Sequence, residues 1–184
     1  MSKVLVIISS GFEEIETVSI IDILRRAKVD VTVATINDIL TQGANQITIK
    51  ADEKLENISD LNGFDMVVLP GGGENCQNLA SSQLVKDTLQ KMKASDKYVA
   101  AICASPYALH EAKVLNNTYT CYPSFEKKID SAVYTDKQDV VIDEKVITSR
   151  GPATAMQFAL ELVKALEGEE RFKNIKNGLL VSHF

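Results

Sequence analysis

The feature that most constrains the fold is a series of short apolar runs that alternate with helix-like segments. The first, "KVLVII" at Lys3–Ile8, is too short and too continuously apolar for a surface helix, so it predicts a strand covered on both faces. "DVTVATI" at Asp30–Ile36, "DMVVL" at Asp65–Leu69 and "YVAAI" at Tyr98–Ile102 continue the series. Between them, Ile15–Ala27 and Ser81–Lys93 carry helical periodicity. Leu84, Val85, Leu89 and Met92 make the apolar stripe of the second. A helix is expected to begin at Pro106–Glu111, and a longer one near Pro152 that runs to about Leu166. Ile47–Ile49, Ala132–Tyr134, Val140–Ile142 and Val146–Thr148 read as short β pieces. No low-complexity linker or repeat interrupts the pattern, and 184 residues suit one domain over positions 1–184.

Short strands with intervening helices predict an α/β fold with a mostly parallel sheet packed on both sides. Right-handed crossovers then bring the loops that follow the parallel strands to one carboxyl edge. That edge should collect "SSGFEEIE", "PGGG", "CASP" and "SRGPA".

Charge and composition remove several function classes. A net charge of -5 with no basic stripe argues against nucleic acid as a partner. No apolar run is long enough to span a membrane. The opening "MSKVLVIISSGFEE" turns acidic too soon for a signal peptide, which predicts a cytoplasmic protein. Cys76, Cys103 and Cys121 have no C-x-x-C spacing, and His110 and His183 sit in no metal-binding pattern, so no metal is expected. "PGGG" is not G-x-G-x-x-G and no P-loop lysine follows, so no nucleotide or flavin cofactor is expected either.

Cys103 directly follows the strand-like "VAAI", and Ala104, Ser105 and Pro106 fit a tight turn into a helix. A strand–turn–helix corner exposes the side chain at its apex, as in a nucleophile elbow. Free N–H groups and the positive helix end there are expected to lower a thiol's pKa toward the reactive thiolate. The competing expectation is a small buried hydrophobe; for Cys76 and Cys121 that expectation leads.

Glu16, Ile20, Leu24 and Ala27 lie along one ridge of the first helix. The ridge points the Glu16 carboxyl at the sheet edge, where burial raises its pKa and lets it pass a proton to a neighbouring sulfur or substrate. The alternative is a first-turn acid that complements the helix dipole, which suits Glu13 and Glu14 better. "PGGG" at Pro70–Gly73 can present consecutive N–H groups as an oxyanion nest, or be a plain flexible turn. Arg150 can pair with an acid or anchor a loop, the alternative being substrate binding. His110 lies about two helical turns beyond Cys103, and His183 is beside the chain end, so a Cys-His-acid triad is poorly supported.

"GFEEIE", "LPGGG", "AAICASPYAL" and "TSRGPATAMQFALELVKAL", in that order, resemble the DJ-1/ThiJ/PfpI family. The resemblance is to its DJ-1-like branch, within the class I glutamine amidotransferase-like superfamily, and extends from Lys3 to Leu166. It implies a flavodoxin-like three-layer sandwich and a homodimer. It also implies a reactive, oxidisable Cys103, a Glu16 that hydrogen-bonds that thiol, and Gly72 and Ala104 as backbone donors beside it. Arg150 matches an arginine near a dimer-associated pocket. The implied chemistry is glyoxalase or deglycase action on small aldehydes such as methylglyoxal, without a cofactor, or else redox sensing or chaperoning through the same cysteine. Ala104 departs from the protease branch, which has histidine after the cysteine. Tyr122 stands where many DJ-1-like members carry histidine, and a phenol exchanges protons poorly at neutral pH.

Overall fold

The structure is a computed structural model and describes residues 1–181. Its elements in chain order are β1 (Lys3–Ile8), α1 (Glu14–Arg26), β2 (Asp30–Thr35), β3 (Leu40–Gln42), β4 (Thr48–Lys50), β5 (Glu53–Lys54) and β6 (Met66–Leu69). There follow α2 (Gly73–Ser81), α3 (Gln83–Ala94), β7 (Tyr98–Ile102), α4 (Pro106–Glu111), β8 (Thr118–Tyr119), β9 (Val133–Tyr134), β10 (Val140–Asp143), β11 (Val146–Ser149) and α5 (Ala155–Gly178). Seven strands form one sheet in the order β10–β11–β7–β6–β1–β2–β5. Every neighbouring pair in it is parallel except β10 with β11.

The continuously apolar strands are explained by cores on both faces. Val4, Val6 and Ile8 of β1, Met66 and Val68 of β6, and Ala100 and Ile102 of β7 face one side. Ile20, Ile23 and Leu24 of α1 and Phe158 and Leu162 of α5 cover them. The alternate residues, Leu5 and Ile7, Val67 and Leu69, and Val99 and Ala101, face the other side. There they meet Leu79 of α2, Val85 and Leu89 of α3, and Leu109 of α4. This is the side-chain period of two that a strand imposes, and each fully buried Leu, Ile or Phe contributes about 1.5–3 kcal/mol. The outcome is the flavodoxin-like three-layer sandwich expected from the sequence.

Three local features add to or correct the sequence reading. The segment expected to form one helix over Ser81–Lys93 is preceded by a separate helix, α2, which begins at the third glycine of "PGGG". Ser82 stays extended between α2 and α3, and its hydroxyl caps α3 by accepting from the Val85 N–H at 3.3 Å. The last helix is interrupted close to the expected end near Leu166, where Gly168 leaves the helical conformation (φ 84°, ψ 175°), and a second helical stretch that the sequence reading did not include continues to Gly178. Finally β3 and β8 carry no apolar signature, because main-chain pairing to β4 and β9 defines them.

Since β1, β6, β7 and β11 are adjacent and parallel, the loops that follow them converge on one carboxyl edge. Those loops lead into α1, α2, α4 and α5, and they hold all four sequence stretches singled out above.

Candidate active site

Cys103 sits just past β7 with φ 65°, in the left-handed region that costs a non-glycine residue about 1–3 kcal/mol. Two neighbouring segments hold it there. Its N–H donates to the Ser149 carbonyl at 3.0 Å, and its carbonyl accepts from the Tyr122 N–H at 2.8 Å. The turn closes with the Ser105 N–H on the Ile102 carbonyl at 3.1 Å, and Pro106 enters the first turn of α4. The side chain is 8% exposed, against 0% for both Cys76 and Cys121.

The electrostatics differ from the expected lowering of the thiol pKa. Burial pushes the Cys103 thiol upward, and a charged Glu16 pushes it further; the Gly72 and Ala104 N–H groups pull the other way. The six-residue α4 is too short to supply much of a helix dipole. Desolvation of the sulfur therefore outweighs the helix end.

Glu16 is fully buried, as are Ile20 and Leu24 along its ridge, with Ala27 nearly so. Its Oε2 accepts the Gly71 N–H at 2.7 Å. Burial pushes its carboxyl up to about 8, helped by the nearby Glu13 charge and opposed by the Gly71 N–H and by the Cys103 thiol that donates to it. Oε1 is buried with no hydrogen-bond partner among the described residues. At neutral pH Glu16 thus keeps its proton, which removes the repulsion on the adjacent sulfur and leaves a donor for a bound group. Glu13 is the N-cap of α1, accepting the Glu16 N–H at 2.7 Å. Glu14 instead clasps the loop after β3, accepting from Asn45 Nδ2 at 3.0 Å.

The first two glycines of "PGGG" are there for close approach, whereas a Cβ on Gly73 would meet nothing within 4 Å. A Cβ on Gly71 would lie 2.5 Å from Cys103 Cβ and 2.9 Å from its Sγ, and would also strike Glu16 Oε2. Gly72 has φ 101°, and a Cβ there would run into the Gly11 carbonyl and lie 2.9 Å from the Glu13 nitrogen. Only glycine permits the 71–72 backbone to touch both the acid and the thiol. Sequence reasoning named Gly72 and Ala104 but missed Gly71, whose signal was the length of the glycine run. It also passed over Asn75 and Ser105, buried polar residues that grip this loop: Asn75 Nδ2 donates to the Pro70 carbonyl at 2.9 Å, and Ser105 Oγ to the same carbonyl at 2.6 Å.

Other residues singled out from the sequence lie around this centre or away from it. Tyr122 and Arg150 line a shallow cleft of about 330 Å³ with Pro123, Asp139 and Gly151–Thr154. Arg150 also reaches the Asp136 carbonyl at 3.4 Å through Nη1. His110 turns to the Ser131 hydroxyl at 2.8 Å and not to the thiol. His183 lies outside the described residues. Cys76 donates from Sγ to the Ala104 carbonyl at 3.1 Å, and burial pushes both Cys76 and Cys121 up to about 12.

Comparison with known proteins gives a concordant result. The model of the DJ-1/PfpI family matches residues 2–165. Protein dj-1beta of Drosophila melanogaster is 38% identical over the whole of both chains. The crystal structure of Drosophila melanogaster DJ-1beta superposes with a TM-score of 0.95 across 100% of both chains. The Caenorhabditis elegans glutathione-independent glyoxalase DJR-1.2 is 32% identical, covering 92% of this chain and 91% of its own.

Proposed function

This chain belongs to the DJ-1/PfpI family, and from that premise we propose that it is a glutathione-independent, glyoxalase-type enzyme that converts small aldehydes through Cys103, methylglyoxal to lactate among them. The observation that carries the reading is the buried, proton-holding Glu16 set against a thiol at a strained elbow, with the Gly72 and Ala104 N–H groups beside the sulfur. The Cys103 thiol adds to the aldehyde carbon while Glu16 gives its proton to the carbonyl oxygen and takes the proton of the thiol, so the hemithioacetal forms with Glu16 again protonated. Glu16, protonated at the start, gives its proton to the ketone oxygen, and the resulting carboxylate takes the proton of the hemithioacetal carbon to form an enediol. Delivery of that proton to the former ketone carbon, as Glu16 recovers one from the enediol hydroxyl on the sulfur-bearing carbon, gives the lactoyl thioester. Water then cleaves the thioester to lactate and frees the thiol. One carbon is oxidised as its neighbour is reduced, so the overall change is addition of one water. The relative from Caenorhabditis elegans named as a glyoxalase supports this substrate class. Removal of aldehyde adducts from amines, a deglycase activity, would draw on the same addition step.

The test is lactate formation from methylglyoxal by purified protein without glutathione. Wild type forms lactate, and Cys103→Ser loses at least about a hundredfold in rate, as expected for loss of a covalent nucleophile. Equal rates in the two proteins sink the reading.

A second reading, oxidative-stress sensing or redox-responsive chaperoning, is favoured by the unpartnered Glu16 Oε1. It could donate to an oxygen added to Cys103 as sulfenic or sulfinic acid. Intact mass after mild peroxide decides it: the reading requires oxygen gained at Cys103 before Cys76 or Cys121. We further propose a homodimer, supported by the exposed Ile15 and Val18 of α1, next to which the Glu14–Asn45 clasp brings the loop bearing exposed Ile47. Sedimentation velocity tests it, and a monomer at micromolar concentration refutes it. Among the described residues no helix is long and apolar enough to cross a membrane; a cytoplasmic location is our reading, to be checked by fractionation.

A further inference from the structure

Two donors of the thiol site, the Gly71 and Gly72 N–H groups, belong to successive peptide units whose carbonyls point elsewhere. In a trans peptide the C=O and the following N–H are antiparallel, so whatever holds the carbonyl aims the N–H. The peptide that joins Pro70 to Gly71 has its carbonyl held by Asn75 Nδ2 at 2.9 Å and Ser105 Oγ at 2.6 Å. Its N–H meets Glu16 Oε2. In the next peptide the Gly71 carbonyl accepts from Asn75 Nδ2 at 3.1 Å and from the Glu13 N–H at 3.0 Å. Its N–H, that of Gly72, acts on the Cys103 sulfur. Among the described residues, Asn75 is the one side chain common to both carbonyls. It is fully buried on α2, and its Oδ1 accepts the Ser9 N–H at 2.6 Å, which ties it to the end of β1.

We propose that Asn75 is a positioning residue for the thiol site: by holding the Pro70 and Gly71 carbonyls it aims the Gly71 N–H at Glu16 and the Gly72 N–H at Cys103. The assignment rests on the proposed role of Cys103 and extends it to a residue that touches neither the thiol nor a substrate. An aspartate in place of Asn75 has at most one donor and holds one carbonyl at most; alanine holds neither. In either variant the glycine peptides are freer to rotate and the carboxyl and thiol lose oriented donors. The titratable groups that act on the thiol in this site are Glu16 and, through Glu16, Glu13, both from the first turn of α1 or its cap.

The experiment is the rate of Cys103 alkylation by iodoacetamide as a function of pH, located by peptide mass, in the full chain and its variants. Asn75→Ala is expected to move the midpoint upward by about one pH unit, which is about tenfold slower reaction at neutral pH. Asn75→Asp, which keeps side-chain volume and the acceptor for Ser9, is expected to move it in the same direction. Because its added carboxyl also raises a thiol pKa, this variant overturns the proposal by an unmoved midpoint, while the upward shift in the uncharged Asn75→Ala is the supporting result. The control is Asn78→Ala, which removes only the 2.9 Å bond from Asn78 Nδ2 to Ser9 Oγ on the same helix; it should lower Tm with the wild-type midpoint intact. A wild-type midpoint in Asn75→Asp or in folded Asn75→Ala overturns the proposal, whatever happens to Tm. The profile does not depend on turnover. Normal lactate formation with an unmoved midpoint therefore removes Asn75 alone, while a moved midpoint in a protein that forms no lactate removes only the enzymatic reading.

Discussion

Gly71 donates its N–H to Glu16 Oε2 across 2.7 Å, and the same glycine leaves no room for a side chain against Cys103. One residue without a Cβ thus lets β6, α1 and the β7 elbow meet at a point. Because it is a hydrogen bond to a buried acid, it works against the desolvation that keeps Glu16 protonated, and burial wins.

That balance gives the protein a pH-dependent stability. The native Glu16 carboxyl holds its proton to about 8, an ordinary glutamate to 4.5, so between those values the native state binds more protons than the unfolded chain. Stability falls as pH rises through that window and the Glu16 contribution is constant above it. The full shift corresponds to at most about 5 kcal/mol. Glu16→Gln should flatten the decline, with Tm above that of wild type at the alkaline end. Thermal unfolding of both proteins across the window checks it, and parallel curves contradict it.

Gly71→Ala should both destabilise the fold and silence the thiol. The added methyl falls 2.5 Å from Cys103 Cβ, so backbone or side chain must move. Overpacking of this kind costs about 1–3 kcal/mol, or several degrees of Tm in a domain of this size. Methylglyoxal turnover should fall by more than tenfold, since the Glu16 and Cys103 groups are displaced together. A folded Gly71→Ala protein with wild-type Tm and turnover would falsify the packing argument.

The sequence made the layers and the edge legible because the apolar runs of β1, β6 and β7 needed cover on both faces. The Glu16 ridge was legible for the same reason: an acid in line with Ile20 and Leu24 goes where they go. Three things were not. The start of α2 was hidden because three glycines read as a breaker, while in space the third is already helical and the first two make room for the acid and the thiol. Asn75 was hidden because a lone asparagine carries no period, and its role depends on peptide planes set by Ser105 and Glu13. The direction of the Cys103 pKa was misjudged because the elbow pattern advertises a helix end but not how far the sulfur lies below the surface.

The three cysteines should separate cleanly in the native protein. Burial pushes all three thiols upward, so access and not acidity separates them: Cys76 and Cys121 are fully buried, and Cys76 is further spent on the Ala104 carbonyl. Cys103 retains a small exposed surface and the Gly72 and Ala104 donors. Limited alkylation at neutral pH is expected to label Cys103 at least about tenfold faster than either partner, with all three equalised in denaturant. Comparable native labelling of Cys76 contradicts this ordering.

Tyr122 is the position from which proton transfer can be strengthened. Its N–H is fixed to the Cys103 carbonyl at 2.8 Å, so any residue placed there keeps its backbone beside the elbow, and its half-exposed side chain borders the cleft with Arg150. No imidazole approaches the thiol among the described residues, since His110 is turned to Ser131. Tyr122→Phe removes only the hydroxyl and should leave lactate formation within about twofold of wild type. Tyr122→His adds a group that titrates near neutrality and should raise the rate by about three- to tenfold, with a new rise in the pH profile near 6.5. Because both substitutions keep an aromatic ring against Gly151, the comparison isolates proton transfer from packing. A histidine variant no faster than the phenylalanine variant at any pH would mean that Glu16 alone carries the protons of this reaction.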